Sequence, residues 1–419
     1  MNRRSHMAQF EIDPQTALLD QLINIKVVEL TPNSNVVIRL HFQDDLGQSW
    51  SSYAKFVADD TGVVDLHSAQ PVEGDYKEPG PMAIFWAVHP QAQAGVERRP
   101  FLLSTTHSLK PIMVQLTAEI NGLPVATASL TRRFYAETVE RTDINQPELV
   151  ATLFRPSTGD SRGVAITLGG SGGGFGWSRQ VAALLASYGQ TAMAVAYFDW
   201  IGQNGLPREL VEIPLETVEK AIAYLRADAT IGVDMLTLLG YSKGAELALL
   251  AATRYADIRR VVAFMPSNVV WEGVSAQPTN PHSSWSYAGD PLPFIPNSME
   301  GNYYTNMVNV IEQIEQSKVL VTPFADALIP VEKVGGPILL ISATADPIWP
   351  SATMADLIIK RLQRRQHPFE AEHLCLQNVG HALGIPYLPY LPIGATEVAN
   401  MATAAEQVWR AVKQFMDIS

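Results

Sequence analysis

The chain of 419 residues holds a single cysteine, Cys375. One thiol excludes an intrachain disulfide framework and any cysteine-rich metal site, and it fits a reducing compartment. Long apolar runs are missing too; none approaches the roughly 20 residues of a membrane-spanning helix. Arg3 and Arg4 stand near the N-terminus without an apolar stretch behind them, which is not the pattern of a secretory signal. The last residues, Met416 to Ser419, are no peroxisomal address. The expectation is a cytoplasmic protein that does not insert into membranes. Basic charge is also scarce. Lys and Arg number 30 against 42 Asp and Glu, a formal net charge of −12. That balance argues against nucleic acid as a partner and against adsorption to anionic membranes. It leaves room for an anionic small molecule held in a local basic pocket.

What is present is a core-forming composition, 47% hydrophobic and 17% charged, with length for one large or two ordinary domains. From about Leu22 to Arg133 the apolar period is two. Ile38, Leu40 and Phe42 alternate with Arg39 and His41; Ile112, Val114, Leu116, Ala118 and Ile120 alternate with Met113, Gln115, Thr117 and Glu119. Turn signals separate the runs, among them Asp44-Asp45-Leu46-Gly47 and Asn121-Gly122. About seven short strands of this kind predict an immunoglobulin-like antiparallel β-sandwich over residues 8–140. His67, His89 and His107 are scattered in it and form no catalytic cluster. Trp50 and Trp86 read as core or interface residues. The join to the next domain is expected near Phe134 to Pro156.

Beyond Arg162 strands alternate with helices. Val164–Leu168, Thr191–Tyr197, Val261–Met265, Pro337–Ser342 and Phe369–Leu376 read as strands; Ser178–Tyr188 and Leu210–Leu225 read as helices. Continuous apolar strands separated by helices imply a mostly parallel sheet buried on both faces, with the chemistry in loops at the strands' carboxyl ends. An α/β catalytic domain over 141–419 follows. It is interrupted by a lid-like insertion of about 271–331, too long for a simple connection and carrying a helix near Tyr303 to Glu315.

The stretch Met235 to Leu250 organises this domain. A short apolar strand runs into Gly240-Tyr241-Ser242-Lys243-Gly244 and then into strong helix formers. Strand, G-x-S-x-G and helix in that order describe a nucleophile elbow, whose glycines admit a turn too tight for side chains. Ser242 is therefore the candidate nucleophile. The glycine-rich loop Gly169 to Gly174 lacks a convincing dinucleotide fingerprint. It fits an oxyanion hole better, with the Lys243 amide as one donor and an amide of Gly170, Ser171 or Gly172 as the other. In the order Ser, Asp, His the acid is expected after a later strand, and Asp346 stands there; Gly380-His381 supplies the base. Asp199 is a rival acid that precedes the elbow. His367 and His373 are rival bases, one before the last strand and one inside it.

These residues resemble the acyl-CoA thioesterase and bile acid-CoA:amino acid N-acyltransferase family across nearly the whole chain. The resemblance rests on Asp45 to Trp50, Gly62 to Leu66 and Pro81 to Trp86 in the first part. In the second it rests on Leu153 to Pro156, Gly169 to Gly174, Leu206-Pro207, Ile213 to Glu216, Gly240 to Glu246, Gly336 to Leu339, Asp346 with Trp349-Pro350-Ser351, Gly380-His381 and Pro386-Tyr387. It implies a β-sandwich followed by an α/β-hydrolase domain, with a triad of Ser242, Asp346 and His381. The implied activity is acyl transfer from a CoA thioester, with coenzyme A part of the substrate and no further cofactor or metal. Amino-acid-conjugating members carry cysteine at the elbow, so Ser242 resembles the thioesterase branch. An N- or O-acyltransferase, or a carboxylesterase or peptidase with the same triad, remain the alternatives. The Lys243 side chain is expected either to attract phosphate or to be a surface or helix-capping lysine.

Overall fold

The structure, a computed structural model, describes residues 7–92, 108–157, 161–276, 280–296, 303–316, 325–389 and 397–418. The chain forms two compact units. The first runs to Ala136 and also takes in two late stretches that begin at Ala382 and at Glu397, the second ending at Glu406; the other unit begins at Glu137.

In the first unit the predicted alternation is present. Strand Asn35–Gln43 buries Val36, Ile38, Leu40 and Phe42, and Ile112–Ile120 buries Ile112, Val114, Leu116 and Ala118. These two pair antiparallel with each other and with Ser49–Val57 and Leu123–Arg133 in a seven-stranded sheet. Asn121 and Gly122, both at positive φ, close the hairpin between Ile112–Ile120 and Leu123–Arg133, as a two-residue turn requires. A second, three-stranded antiparallel sheet contains Gln9–Asp13, Asn24–Val28 and Val64–Asp65. One pairing departs from the antiparallel pattern: Thr16–Leu18 runs parallel to Leu123–Arg133. Trp50 is buried and donates its indole N–H to Asp44 at 2.9 Å. His67 and His89 are exposed; His107 lies outside the described residues.

The second unit is built on one eight-stranded sheet. Its strands are β1 (Val139–Gln146), β2 (Leu149–Pro156), β3 (Val164–Leu168), β4 (Thr191–Ala196), β5 (Leu236–Tyr241), β6 (Ile258–Phe264), β7 (Ile338–Ala343) and β8 (Ala371–Leu376). The order across the sheet is β1-β2-β4-β3-β5-β6-β7-β8, antiparallel at β1–β2 and β2–β4 and parallel thereafter. The helices are α1 (Gly176–Ser187), α2 (Glu216–Ala227), α3 (Lys243–Ala252), α4 (Tyr303–Gln316), α5 (Ser351–Arg364) and α6 (Val398–Phe415). A largely parallel sheet with a strand–elbow–helix at β5–α3 is the α/β-hydrolase fold. The central strands are wholly buried, β3, β4 and β7 at every residue, because helices cover both faces of such a sheet.

Three expectations are corrected. The join near Phe134 to Pro156 is no linker: residues 139–156 form the β1–β2 hairpin, and Leu149 to Phe154 are all buried. The boundary at 140/141 accordingly falls inside β1. The C-terminal part does not belong wholly to the hydrolase unit, since the stretches after Ala382 and Glu397 group with the first unit. There Met401, Ala402 and Ala405 of α6 pack with Trp86, Ala382 and Val398. Finally, Leu210–Leu225 is not one helix. Leu210 bridges Val274 and Ile213–Pro214 pairs with Trp285-Ser286, so α2 begins only at Glu216. Pro214 holds Ile213 extended and has no N–H to give a helix, which suits a short strand.

Parts of the insertion lie within the described residues, and they are packed rather than solvated. Trp271, Trp285, Ser283 and Ser284 are buried. Met307, Ile311 and Ile314 of α4 form an apolar cluster with Trp271, Ile295, Trp349, Met354 and Leu357.

Candidate active site

Ser242 sits between β5 and α3 with φ 56° and ψ −119°, a region that costs an L-residue of order 1–3 kcal/mol. The surroundings hold it there. Its N–H donates to the Phe264 carbonyl at 2.8 Å, and its own carbonyl accepts from the amides of Ala245 and Glu246. The flanking glycines are sterically required. A Cβ on Gly240 would lie 2.1 Å from the Gly244 carbonyl oxygen, and one on Gly244 would lie 2.2 Å from that of Gly169. The strand, the turn and the helix start touch backbone to backbone.

The three residues singled out for the triad are brought together from three strand ends. Ser242 Oγ is 3.0 Å from His381 Nε2, and His381 Nδ1 is 2.8 Å from Asp346 Oδ2. A carboxylate can only accept, so Nδ1–H donates to Asp346; in the neutral imidazole Nε2 then accepts the Ser242 hydroxyl proton. The second Asp346 oxygen accepts the amides of Ile348 at 2.9 Å and Trp349 at 3.3 Å. All three residues are buried, Ser242 at 4%, Asp346 at 3% and His381 at 7% exposure. Carboxylate and imidazole are therefore oriented in a site of low polarity, where such contacts are strong.

The rivals stand elsewhere. Asp199 accepts the Ile201 amide in its own loop. His367 lies against the Gly336 carbonyl, and His373 lies between Ser342 and Asp356.

The glycine loop follows β3 and lies against the nucleophile. A Cβ on Gly170 would come 3.1 Å from Ser242 Cβ and 3.1 Å from the Tyr241 carbonyl oxygen. Of Gly170, Ser171 and Gly172, Gly170 thus has a backbone whose close approach depends on having no side chain. Carbonyls of this loop are pinned from the end of β4. The Tyr197 hydroxyl donates to Gly169, and Trp200 Nε1–H donates to Ser171 at 2.9 Å. Lys243 is the first residue of α3, so its N–H has no partner four residues back within the helix. Loop and helix start offer amides toward the Ser242 side chain, the arrangement an alkoxide needs.

Two features were not visible in the sequence reading. Tyr241 stacks on Trp177 at 5.3 Å between ring centroids, meets the His381 ring edge-on at 5.6 Å and donates its hydroxyl to the His381 carbonyl. It fixes the base from below. The other is the Lys243 side chain, which is neither a phosphate ligand at the surface nor a cap. It is 3% exposed, and its Nζ lies 3.1 Å from Glu246, 2.7 Å from Ser284 Oγ and 3.3 Å from the Glu272 carbonyl. The signal was present as a lone Lys and Glu three apart in an otherwise apolar helix, a spacing that places them side by side.

Among the described residues no group of three His, Cys, Asp or Glu is placed to hold a metal ion, and no helix is long and apolar enough to cross a membrane.

Two family profiles match the chain. "Acyl-CoA thioester hydrolase/BAAT N-terminal region" covers residues 20–146, and "BAAT / Acyl-CoA thioester hydrolase C terminal" covers residues 213–417. Acyl-coenzyme A thioesterase 2, mitochondrial, of Mus musculus is 28% identical over 97% of this chain and 88% of its own. Bile acid-CoA:amino acid N-acyltransferase of Mus musculus is 26% identical over 98% of this chain and 97% of its own. Among solved structures, a Pyrococcus furiosus esterase shares 13% identity at a TM-score of 0.39, over 67% of this chain and 89% of its own.

Proposed function

We propose, from the premise that the chain belongs to the family of acyl-CoA thioester hydrolases and bile acid-CoA:amino acid N-acyltransferases, that it hydrolyses an acyl-CoA to the free acid and coenzyme A. Ser242 Oγ attacks the thioester carbonyl while its proton passes to His381 Nε2. Asp346 holds the Nδ1–H and stabilises the imidazolium as it forms. The oxyanion rests on the Lys243 amide and one amide of the Gly170 to Gly172 segment. Collapse expels the CoA thiolate, which takes the proton from His381, and the acyl group stays on Ser242 as an oxyester. A water molecule, deprotonated by His381, opens that ester and releases the acid. No cofactor enters beyond the coenzyme A of the substrate.

The observation that carries this reading is the relay of 3.0 Å and 2.8 Å from Ser242 through His381 to Asp346, built on a strained elbow. Replacing Ser242 with Ala is expected to lower thiol release from acyl-CoA by roughly 10⁶-fold with an unchanged melting temperature. Turnover that survives in Ser242→Ala would sink the assignment.

A second reading is acyl transfer to an amine, favoured by the relative named bile acid-CoA:amino acid N-acyltransferase that aligns over 98% of the chain. Serine at the elbow favours hydrolysis, since its oxyester is open to activated water. Product analysis with and without glycine or taurine separates the two: free acid in both cases supports the hydrolase, and conjugate formed only with acceptor supports the transferase. The proposed compartment is the cytoplasm, carried by the single cysteine; fractionation decides it against the mitochondrial location in the name of one relative.

A further inference from the structure

Lys243 and Glu246 are buried to 3% and 0% exposure on the first turn of α3, directly behind Ser242. Two buried charges persist only when paired and fully hydrogen-bonded, and the partners here come from a single stretch of chain. Lys243 Nζ donates to Ser284 Oγ at 2.7 Å and lies 3.3 Å from the Glu272 carbonyl. Glu246 accepts the Trp271 amide at 3.1 Å and the Trp285 indole N–H at 2.7 Å. All four partners belong to the base of the insertion. The Trp285 ring lies 5.6 Å from that of Tyr197, whose hydroxyl holds the Gly169 carbonyl. Burial, with Glu246 adding to it, pushes the Tyr197 phenol far above its ordinary range, so it stays protonated and remains a donor. One buried cluster therefore touches both segments that offer amides to the reacting centre, the start of α3 and the glycine loop.

We infer that the Lys243–Glu246 pair is a positioning device. It locks residues 271–287 of the insertion to the nucleophile helix as a fixed wall of the acyl site, and it holds the two sets of oxyanion donors in register with Ser242. The inference rests on the proposed thioester chemistry at Ser242 and deepens it. Breaking the pair on one side leaves an uncompensated buried charge, so single variants mix loss of stability with loss of positioning. Replacing both partners by apolar residues of similar volume is often neutral or stabilising, and this separates the two effects.

The test is the double variant Lys243→Met with Glu246→Leu, measured in the full chain for melting temperature, kcat and KM on an acyl-CoA. The expected result is a melting temperature at or above wild type, KM within about threefold, and kcat lower by about 10²-fold, the scale that a misplacement of about 1 Å costs. Recovery of kcat to within threefold of wild type together with the melting temperature would overturn the inference, because the pair would then be structural only. Trp285→Phe keeps the ring and removes only the N–H to Glu246, so it serves if the double variant does not fold. A kcat fall of about tenfold at a near-wild-type melting temperature is expected there, and an unchanged kcat rejects positioning. Residual turnover in Ser242→Ala would instead remove the reading on which the inference stands, so the two failures are distinguishable.

Discussion

The hydrolase unit contains two Ser–His–Asp relays of the same connectivity, and only one has the surroundings of a reactive centre. In the first, Ser242 meets His381 Nε2 at 3.0 Å and His381 Nδ1 meets Asp346 at 2.8 Å. In the second, Ser342 meets His373 Nε2 at 2.6 Å and His373 Nδ1 meets Asp356 at 3.0 Å. Distances alone do not separate them; placement does. Ser342 lies inside β7, fully buried, and pairs across to Cys375 in regular register. The strand continues past it, so neither a helix start nor a glycine loop offers amides near its hydroxyl. Its acid, Asp356, has a side chain 60% exposed, whereas that of Asp346 is 1% exposed. Solvent screens the outer carboxylate and weakens its hold on the imidazole. A hydrogen-bonded triad is common chemistry. A triad whose serine is lifted by a strained turn against free amides is a site.

The largest expected contrast is between the two acids. Asp346→Asn is predicted to cut kcat by about 10⁴-fold, because an amide can donate to Nδ1 and so favours the wrong tautomer. Asp356→Asn is predicted to change kcat by less than about twofold. Parallel steady-state assays on one acyl-CoA decide this, and equal losses would erase the distinction. Next in size, Ser342→Ala should leave kcat intact and cost ~1–2 kcal/mol of stability, since it orphans a largely buried imidazole nitrogen. Denaturant titration reads that cost, and a catalytic defect without it would contradict the structural role.

The smallest effect is in pH dependence. Burial lowers His373 below its ordinary 6.5, outweighing the opposing pull of Asp356. Below pH 6.5 the unfolded chain takes up a proton that the folded chain still refuses, so stability falls as pH drops from there toward the folded pKa. His373→Gln removes this contribution. Its melting temperature should decline less between pH 7.5 and about 5.5 than that of wild type, and parallel slopes would refute the assignment.

The elbow was legible because tight turns admit few residues: Gly240 and Gly244 stand where a Cβ would strike backbone. Asp346 and His381 followed from chain order and strand ends, and His373 was set aside for lying inside a strand, where β8 does carry it. The sandwich strands were legible from a period of two. What stayed hidden depended on partners distant in sequence. The β1–β2 hairpin looks polar on one strand and shows its burial only once β2 pairs with β4. The segment Leu210 to Pro214 has apolar spacing that suits a helix, yet Trp285, more than 70 residues on, draws it into a strand. Lys243 reads as a surface residue until Ser284 and Glu246 are placed around it.

The most direct measurement is of the covalent intermediate. The protein is mixed with a slowly turned-over acyl-CoA, quenched in acid during steady state, digested and analysed by mass spectrometry. The added acyl mass is predicted on the peptide containing Ser242, and it should be absent from Ser242→Ala. Acyl mass on another residue, or steady turnover with none on Ser242, would contradict the assignment of this site.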